Sequence, residues 1–139
     1  FYHIEHTRCS FCLFFLMIRL PQRSTLFPYT TLFRSVSFTL ENEGYKVLIG
    51  VDGKDALKFL NGQVIDLIIT DLHMPEMDGI ELIKNVRKNS DYERIPILFL
   101  TTESQTAKKM EAKDAGATGW IIKPFVPAKL IAAINKVIR

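Results

Sequence analysis

From residue 36 onward, the hydrophobic positions alternate between helical and strand-like spacing, with short polar connections between them. Apolar positions three and four residues apart predict helices, and short apolar runs between turn residues predict buried strands. Alternating helices and strands are typical of an α/β fold with a parallel sheet covered on both faces. The predicted segments are, in order, helix Val36–Glu43, strand Lys46–Val51, helix Asp55–Leu60, strand Ile65–Thr70, helix Gly79–Lys88, strand Pro96–Leu100, helix Glu103–Ala115, strand Gly119–Ile122 and a last helix from Ala128.

Residues at the predicted helix ends support this division. Asp78 can N-cap the helix that begins at Gly79, because its carboxylate can accept hydrogen bonds from free backbone N–H groups. Gly44 and Gly116 can end helices, because glycine readily adopts the left-handed conformation found there. The pattern nevertheless starts with a helix, so an opening strand is missing from residues 36–139. The apolar run Phe11–Ile18 is hydrophobic enough to fill that place.

The first 35 residues differ in composition from the rest of the chain. They contain four of the 18 basic residues but one of the 15 acidic residues, which leaves 14 of each from Val36 onward. This balance argues against a basic nucleic-acid-binding module. The apolar runs after residue 35 have the length of strands, so no membrane span is predicted. The absence of cysteine after residue 35 fits a reducing, cytoplasmic setting.

The segment Thr25–Ser35 (TLFPYTTLFRS) resembles the translation of a common sequencing-library adapter. The extended adapter also matches Met17–Leu26, except at Leu20 and Gln22. We therefore interpret residues 1–35 as a non-native, artefactual segment and residues 36–139 as one domain. The spacing of His3, His6, Cys9 and Cys12 suggests zinc only weakly, because a single C-x-x-C without a second pair has low specificity.

Three polar residues follow successive predicted strands: Asp71, Thr101 and Lys123. Parallel sheets of this type bind ligands outside the carboxyl ends of their strands. A carboxylate can act as a nucleophile towards phosphorus, and a hydroxyl and an ammonium can bind the transferred oxygens. Individually, Asp71 could be a turn former, Lys123 a surface residue, and Thr101 incidental to a helix cap formed by Thr102 and Gln105.

The same positions resemble the signature of response regulator receiver domains. The similarity lies in Ile69–Gly79 (ITDLHMPEMDG), Leu100–Glu103 (LTTE) and the stretch from Asp114 to Phe125, which ends in WIIKPF. Within this family, the motifs resemble those of stand-alone regulators of the chemotaxis type. The resemblance implies a flavodoxin-like sheet of five parallel strands in the order 2-1-3-4-5, with the first strand missing or replaced in this chain.

Within this resemblance, Asp71 is the expected phosphoacceptor, and Thr101 and Lys123 are the residues expected to contact the phosphoryl group. The Asp71 carboxylate and the backbone carbonyl of His73 are the expected Mg²⁺ ligands. The side chains of His73 and Glu103 occupy positions that tune phosphoryl lifetime. Trp120 occupies an aromatic position expected to switch with Thr101. The Lys123-Pro124 peptide bond is expected to be cis.

One part of the receiver signature is absent. Receivers place an acidic pair after the first strand to complete the Mg²⁺ site, but no carboxylate lies between Glu5 and Glu41. A hard divalent cation needs several oxygen ligands. Loss of a native central strand would also remove stabilisation of about 8–15 kcal/mol. We therefore expect the chain as written to fold poorly and to take up a phosphoryl group weakly or not at all.

The predicted function is that of a receiver that accepts a phosphoryl group from a sensor histidine kinase and signals to a downstream protein target, rather than that of an enzyme acting on other substrates. A pseudo-receiver that binds partners without phosphorylation is the main alternative, since the acidic pair is absent. An aspartate-nucleophile phosphohydrolase is a remote alternative, because such enzymes place a second aspartate where this chain has His73.

Overall fold

The computed structural model describes residues 11–15, 36–50, 53–62, 64–72, 74, 77–102 and 106–138. Strands and helices alternate through these residues. The elements are β1 Phe11–Phe15, α1 residues 36–42, β2 Lys46–Gly50, α2 Gly53–Lys58, β3 Leu67–Asp71, α3 Gly79–Lys88, β4 Ile97–Thr102, α4 Thr106–Asp114, β5 Gly119–Lys123 and α5 Pro127–Val137.

The five strands form one parallel sheet in the order β2-β1-β3-β4-β5. This order confirms the predicted fold class, with β1 as an inner strand between β2 and β3. Phe15 at the end of β1 pairs with Gly50 of β2 and with Thr70 of β3. The first five residues of the run Phe11–Ile18 thus fill the place of the opening strand, and residues 16–18 lie outside the described residues. The assignment of residues 1–35 as non-native stays a prediction.

Alternating side chains of β3 and β4 pack into two separate hydrophobic layers. Successive side chains of a strand point to opposite faces of the sheet. Ile68 of β3 and Phe99 of β4 accordingly pack with α2, α3 and α4, whereas Ile69 and Leu100 pack with α1 and α5. Because both faces are covered, the two strands are almost continuously apolar, and Thr70 and Thr101 are the polar residues among their buried positions.

The helix boundaries agree closely with the turn signals. The Asp78 carboxylate accepts a hydrogen bond of 2.8 Å from the backbone N–H of Glu81, which confirms the predicted N-cap of α3. Gly44 and Gly116 adopt φ angles of 85° and 109° after α1 and α4. Strand β4 extends two residues beyond its predicted end, because Thr101 and Thr102 continue the pairing with β5.

Arg87 of α3 connects two loops at the edge of the sheet where the strands begin. Its Nε and Nη2 donate to the carbonyl oxygen of Gly116 at 3.0 and 2.6 Å. Its Nη1 donates to the carbonyl oxygens of Ile95, at 2.7 Å, and Tyr92, at 3.3 Å. Burial lowers the pKa of the Arg87 guanidinium from its ordinary value. The side chain therefore holds α3 against the connections that precede β4 and β5.

Replacement of Arg87 by methionine is expected to lower the free energy of unfolding by about 2–3 kcal/mol, because part-buried carbonyl groups lose a charged donor. Urea unfolding followed by circular dichroism measures the change. Arg94→Met is the matched control, since the Arg94 side chain is 92% exposed and contacts the neighbouring Glu93. Equal loss in the two variants would contradict a structural role for the Arg87 contacts.

Among the described residues, no helix is both long and apolar enough to span a membrane.

Candidate functional site

The three residues predicted to carry the chemistry lie at the carboxyl ends of neighbouring strands. Asp71 ends β3, Thr101 lies near the end of β4, and Lys123 ends β5. The pairing of β3 with β4 sets Asp71 opposite Leu100, one residue before Thr101. The pairing of β4 with β5 sets Lys123 opposite Thr102, one residue after Thr101. The order of the strands therefore places Thr101 on the strand between Asp71 and Lys123.

Asp71 and Lys123 form an ion pair across this edge of the sheet. The Lys123 ammonium donates a hydrogen bond from Nζ to Oδ2 of Asp71. The Asp71 side chain is 13% exposed and the Lys123 side chain is 19% exposed. Charges shielded from water in this way interact more strongly than surface charges do. The peptide bond between Lys123 and Pro124 is cis, as predicted.

Thr101 is nearly inaccessible to solvent, with 2% exposure. Its hydroxyl donates a hydrogen bond of 3.2 Å to the backbone carbonyl of Thr102. Strand alternation puts the Thr101 side chain on the same face of β4 as Phe99. The hydroxyl therefore lies at the top of the layer formed with α3 and α4, beside the strand that ends in Asp71.

Trp120 lies on the same side of the sheet as Thr101. It pairs with Phe99 in the register of β4 and β5, and the two ring centroids are 6.2 Å apart with an interplanar angle of 46°. Phe99 is fully buried, whereas Trp120 is 46% exposed. One part of the indole thus contacts the layer below Thr101, and another part contacts solvent.

Two residues at this site were not assigned a role from the sequence. Thr70 is fully buried, and its hydroxyl donates to the carbonyl oxygen of Asp71 at 3.1 Å. Gly79, the first residue of α3, lies against the same carbonyl group. The sequence marked Thr70 as a polar residue within an apolar strand and Gly79 as a glycine at the start of a helix. Neither feature predicts a contact with the Asp71 carbonyl.

Three residues with a role assigned from the sequence lie outside the described residues. They are His73, with a metal contact and a role in phosphoryl lifetime, Glu103, with a role in phosphoryl lifetime, and Gln105, with a helix cap. Their roles stay predictions.

The side chains in the described part of the chain do not fit a complete Mg²⁺ site. No group of three or more His, Cys, Asp and Glu residues there could hold a metal ion. Asp71 offers a carboxylate, but it is paired with Lys123. The residues that follow β1 in the sequence, Leu16 and Met17, carry no oxygen ligand. Mg²⁺ prefers six oxygen ligands in octahedral geometry, and the described site offers one carboxylate that an ammonium already neutralises.

Comparison with known families agrees with the fold. The family model of the response regulator receiver domain matches residues 30–135. The chain belongs to the response regulator receiver domain family. Members of this family are signalling modules of two-component systems. The match begins six residues before the domain boundary predicted at residue 36.

The named relatives of this receiver domain include a chemotaxis protein and a probable transcriptional regulator. It is 38% identical over 86 residues to the chemotaxis protein CheY-3 of Vibrio cholerae, covering 62% of this chain and 66% of the relative. It is 34% identical over 109 residues to the probable transcriptional regulator ycf29 of Porphyra purpurea, covering 78% of this chain. The match spans about half of that relative, 52% of its length.

The crystal structure of CheY4 from Vibrio cholerae superimposes on the receiver domain with a TM-score of 0.77 and 38% sequence identity. The alignment covers 92% of this chain and 98% of that chain. The whole sheet, including β1, therefore follows the architecture of a chemotaxis-type receiver.

Proposed function

We propose that this receiver domain accepts a phosphoryl group on Asp71 from a sensor histidine kinase and passes the signal to a protein target. The ion pair between Asp71 and Lys123 is the observation that carries the proposal. It places a shielded carboxylate nucleophile beside a cation at the edge of the sheet where ligands of this fold bind.

The proposed transfer is a displacement at phosphorus. A carboxylate oxygen of Asp71 forms the new bond to phosphorus while the bond to the donor atom breaks and its electron pair leaves with the donor. The Lys123 ammonium compensates negative charge on the phosphoryl oxygens, and the Thr101 hydroxyl donates a hydrogen bond to one of them. To do so, the hydroxyl exchanges its hydrogen bond to the Thr102 carbonyl for one to the phosphoryl group.

This change at Thr101 provides a route to the protein surface. A Thr101 side chain drawn towards Asp71 leaves space next to the layer in which Trp120 packs on Phe99. We propose that Trp120 moves into this space on phosphorylation. Met110 of α4, Trp120 and Ile122 of β5, and Val126 before α5 are exposed apolar side chains. They form the surface on which we place the downstream target.

Metal dependence is where this chain departs from its family. Receiver domains bind Mg²⁺ at the active site, and one receiver of the same fold has a magnesium ion coordinated in its active-site cleft. The donor set described above does not fit that ion, so we expect slow phosphorylation. The same deficiency favours a second candidate function, that of a pseudo-receiver whose target surface works without phosphorylation. The setting we propose for either function is the cytoplasm.

Intact-mass spectrometry after incubation with a small acyl phosphate tests the proposal. We expect the chain to gain the mass of one phosphoryl group slowly, and Asp71→Asn to abolish the gain. Asp91→Asn is the matched control, because Asp91 is an exposed aspartate at the opposite edge of the sheet. No gain in the folded chain, together with retained target binding, would establish the pseudo-receiver function instead.

We also propose that residues 1–35 are non-native, on the basis of the adapter resemblance. Sequencing the source DNA across the codons of Ser35 and Val36 tests this origin. A coding sequence in which a strand ending in two acidic residues precedes Val36 is the expected result. Adapter-like codons in genuine genomic DNA would contradict it.

A further inference from the structure

The backbone carbonyl of Asp71 is enclosed by two residues that the phosphoryl-transfer chemistry does not use. Thr70 donates a hydrogen bond from its hydroxyl to the carbonyl oxygen at 3.1 Å. A Cβ atom placed on Gly79 would lie 2.3 Å from the same oxygen. It would also lie 3.2 Å from the carbonyl carbon of Asp71 and from the Cα of Leu72. The start of α3 thus lies directly against the peptide group of the proposed phosphoacceptor.

Glycine is needed at position 79 for space rather than for backbone conformation. Gly79 is the first residue of α3, and its φ angle lies outside the left-handed region. Any residue can adopt helical backbone angles, and alanine has a higher helix propensity than glycine. Helix propensity alone would therefore favour alanine, and the close approach to Asp71 is what opposes it.

The backbone atoms of Asp71 and Leu72 that a Cβ on residue 79 would meet cannot move independently of the site. They belong to the backbone where β3 ends, and the N–H of Leu72 donates to the carbonyl of Leu100 in β4 at 3.2 Å. The N–H of Gly79 donates to the carbonyl of Leu72 at 3.1 Å, and Asp78 caps the same turn of α3. The buried Ile80 and Ile83 anchor the helix in the core. Relief of a clash at position 79 must therefore displace either α3 or the Asp71 peptide.

We propose that Gly79, together with the Thr70 hydroxyl, is a positioning residue that sets the Asp71 carboxylate opposite the Lys123 ammonium. The Cα of Asp71 is part of the displaced unit, so a shift of its peptide changes the direction of the side chain. The proposed effect of Gly79 on the ion pair does not depend on phosphorylation. Its consequence for phosphoryl transfer rests on the proposed function.

A double-mutant cycle tests the effect on the ion pair without phosphorylation. The coupling free energy between Asp71→Asn and Lys123→Met is measured by urea unfolding of the full chain, with and without Gly79→Ala. We expect Gly79→Ala to reduce the coupling to less than half. Unchanged coupling would overturn the proposal. Absent coupling in the unmodified background would overturn it as well, because no ion pair would remain to be positioned.

Gly44→Ala is the matched control for general destabilisation. Gly44 has a φ of +85°, so alanine is strained there, but no atom lies within 4 Å of the added Cβ. Gly44 follows α1, away from Asp71. We expect Gly44→Ala to lower stability while leaving the coupling unchanged. Equal loss of coupling in the two glycine variants would show that Gly79 acts only on overall stability.

Thr70→Val keeps the test decisive if Gly79→Ala does not fold. Valine preserves the size of the side chain and removes the hydroxyl's hydrogen bond to the Asp71 carbonyl at 3.1 Å, together with its longer contact of 3.7 Å to the Met74 sulfur. We expect a partial loss of coupling, and full retention would overturn the proposal. Thr118→Val is its control, because the Thr118 hydroxyl accepts a hydrogen bond from the N–H of Ile97 at the opposite edge of the sheet, at 3.0 Å.

Phosphorylation kinetics test the consequence for function. At saturating acyl phosphate, Gly79→Ala is expected to lower the maximal rate of Asp71 labelling by about tenfold or more, because misplaced reacting groups lose the benefit of orientation. The donor concentration at half-maximal rate should stay unchanged. If the unmodified chain takes up no phosphoryl group, the proposed function fails, while the coupling measurement still decides the role of Gly79.

Discussion

Replacement of Leu16 and Met17 together by aspartate is expected to raise Mg²⁺-dependent phosphorylation of Asp71 by about 10²-fold. Phe15 of β1 pairs with Thr70 of β3, so the chain leaves β1 beside the end of β3 that carries Asp71. Two carboxylates installed directly after β1 supply oxygen ligands that the described donor set lacks. The rate of mass gain in acyl phosphate, with Mg²⁺ and with EDTA, measures the effect.

The matched control adds the same two charges elsewhere. Asn61→Asp with Val64→Asp introduces aspartates at exposed positions before β3, at the edge of the sheet opposite Asp71. This control should show no Mg²⁺-dependent increase, and Mg²⁺ titration by calorimetry should detect binding to the first variant alone. A similar increase in the two variants would mean that added charge, rather than the position of the carboxylates, accelerates labelling.

Replacement of Phe99 by alanine is expected to lower the free energy of unfolding by about 3–5 kcal/mol. Phe99 is fully buried in the layer between the sheet and helices α3 and α4, and Trp120 packs against its ring. The loss would be a large share of the stability of a typical domain, about 5–15 kcal/mol. Urea unfolding measures it, and the tryptophan emission of the folded variant should shift because Trp120 loses its aromatic neighbour.

Phe38→Ala is the control for the loss of an aromatic ring. Phe38 belongs to α1 and is 64% exposed. Its replacement should change the free energy of unfolding by less than about 0.5 kcal/mol. A loss at Phe99 no larger than that at Phe38 would contradict the packing described for this layer.

Most of the fold after residue 36 could be predicted because local patterns and tertiary packing agree there. β3 and β4 are buried on both faces and are therefore almost continuously apolar, while α3 and α5 keep a periodic apolar face. Asp78 and Gly44 mark helix ends through local chemistry that does not depend on the rest of the fold. The end of β4 was misjudged, because threonine pairs were read as a loop although β5 continues the ladder there.

The position of β1 could not be predicted with the same certainty. An apolar run such as Phe11–Ile18 is compatible with many partners, and the adapter-like residues after it argued that the segment was foreign. Its place between β2 and β3 depends on long-range pairing, which a single sequence does not specify. The pairing of β1 does not test whether residues 1–35 belong to the natural protein; sequencing of the source DNA does.

At the site, the residues carrying charge or a hydroxyl at strand ends were predictable. Asp71 and Lys123 meet because parallel strands end at the same edge of the sheet, and that rule needs only the order of the strands. Thr70 and Gly79 were missed because their contacts with the Asp71 carbonyl are distances between backbone segments. Such distances depend on how closely α3 approaches β3, which no local pattern encodes.

Reductive trapping of the phosphorylated chain is the measurement that distinguishes Asp71 from every other acceptor. Borohydride reduces an aspartyl phosphate to homoserine, and peptide sequencing then locates the modified residue. Homoserine at position 71, and its absence in Asp71→Asn, is the result we expect for the Leu16→Asp, Met17→Asp chain. Homoserine at another carboxylate, or a stable phosphate on a hydroxyl or imidazole, would mean that Asp71 is not the phosphoacceptor.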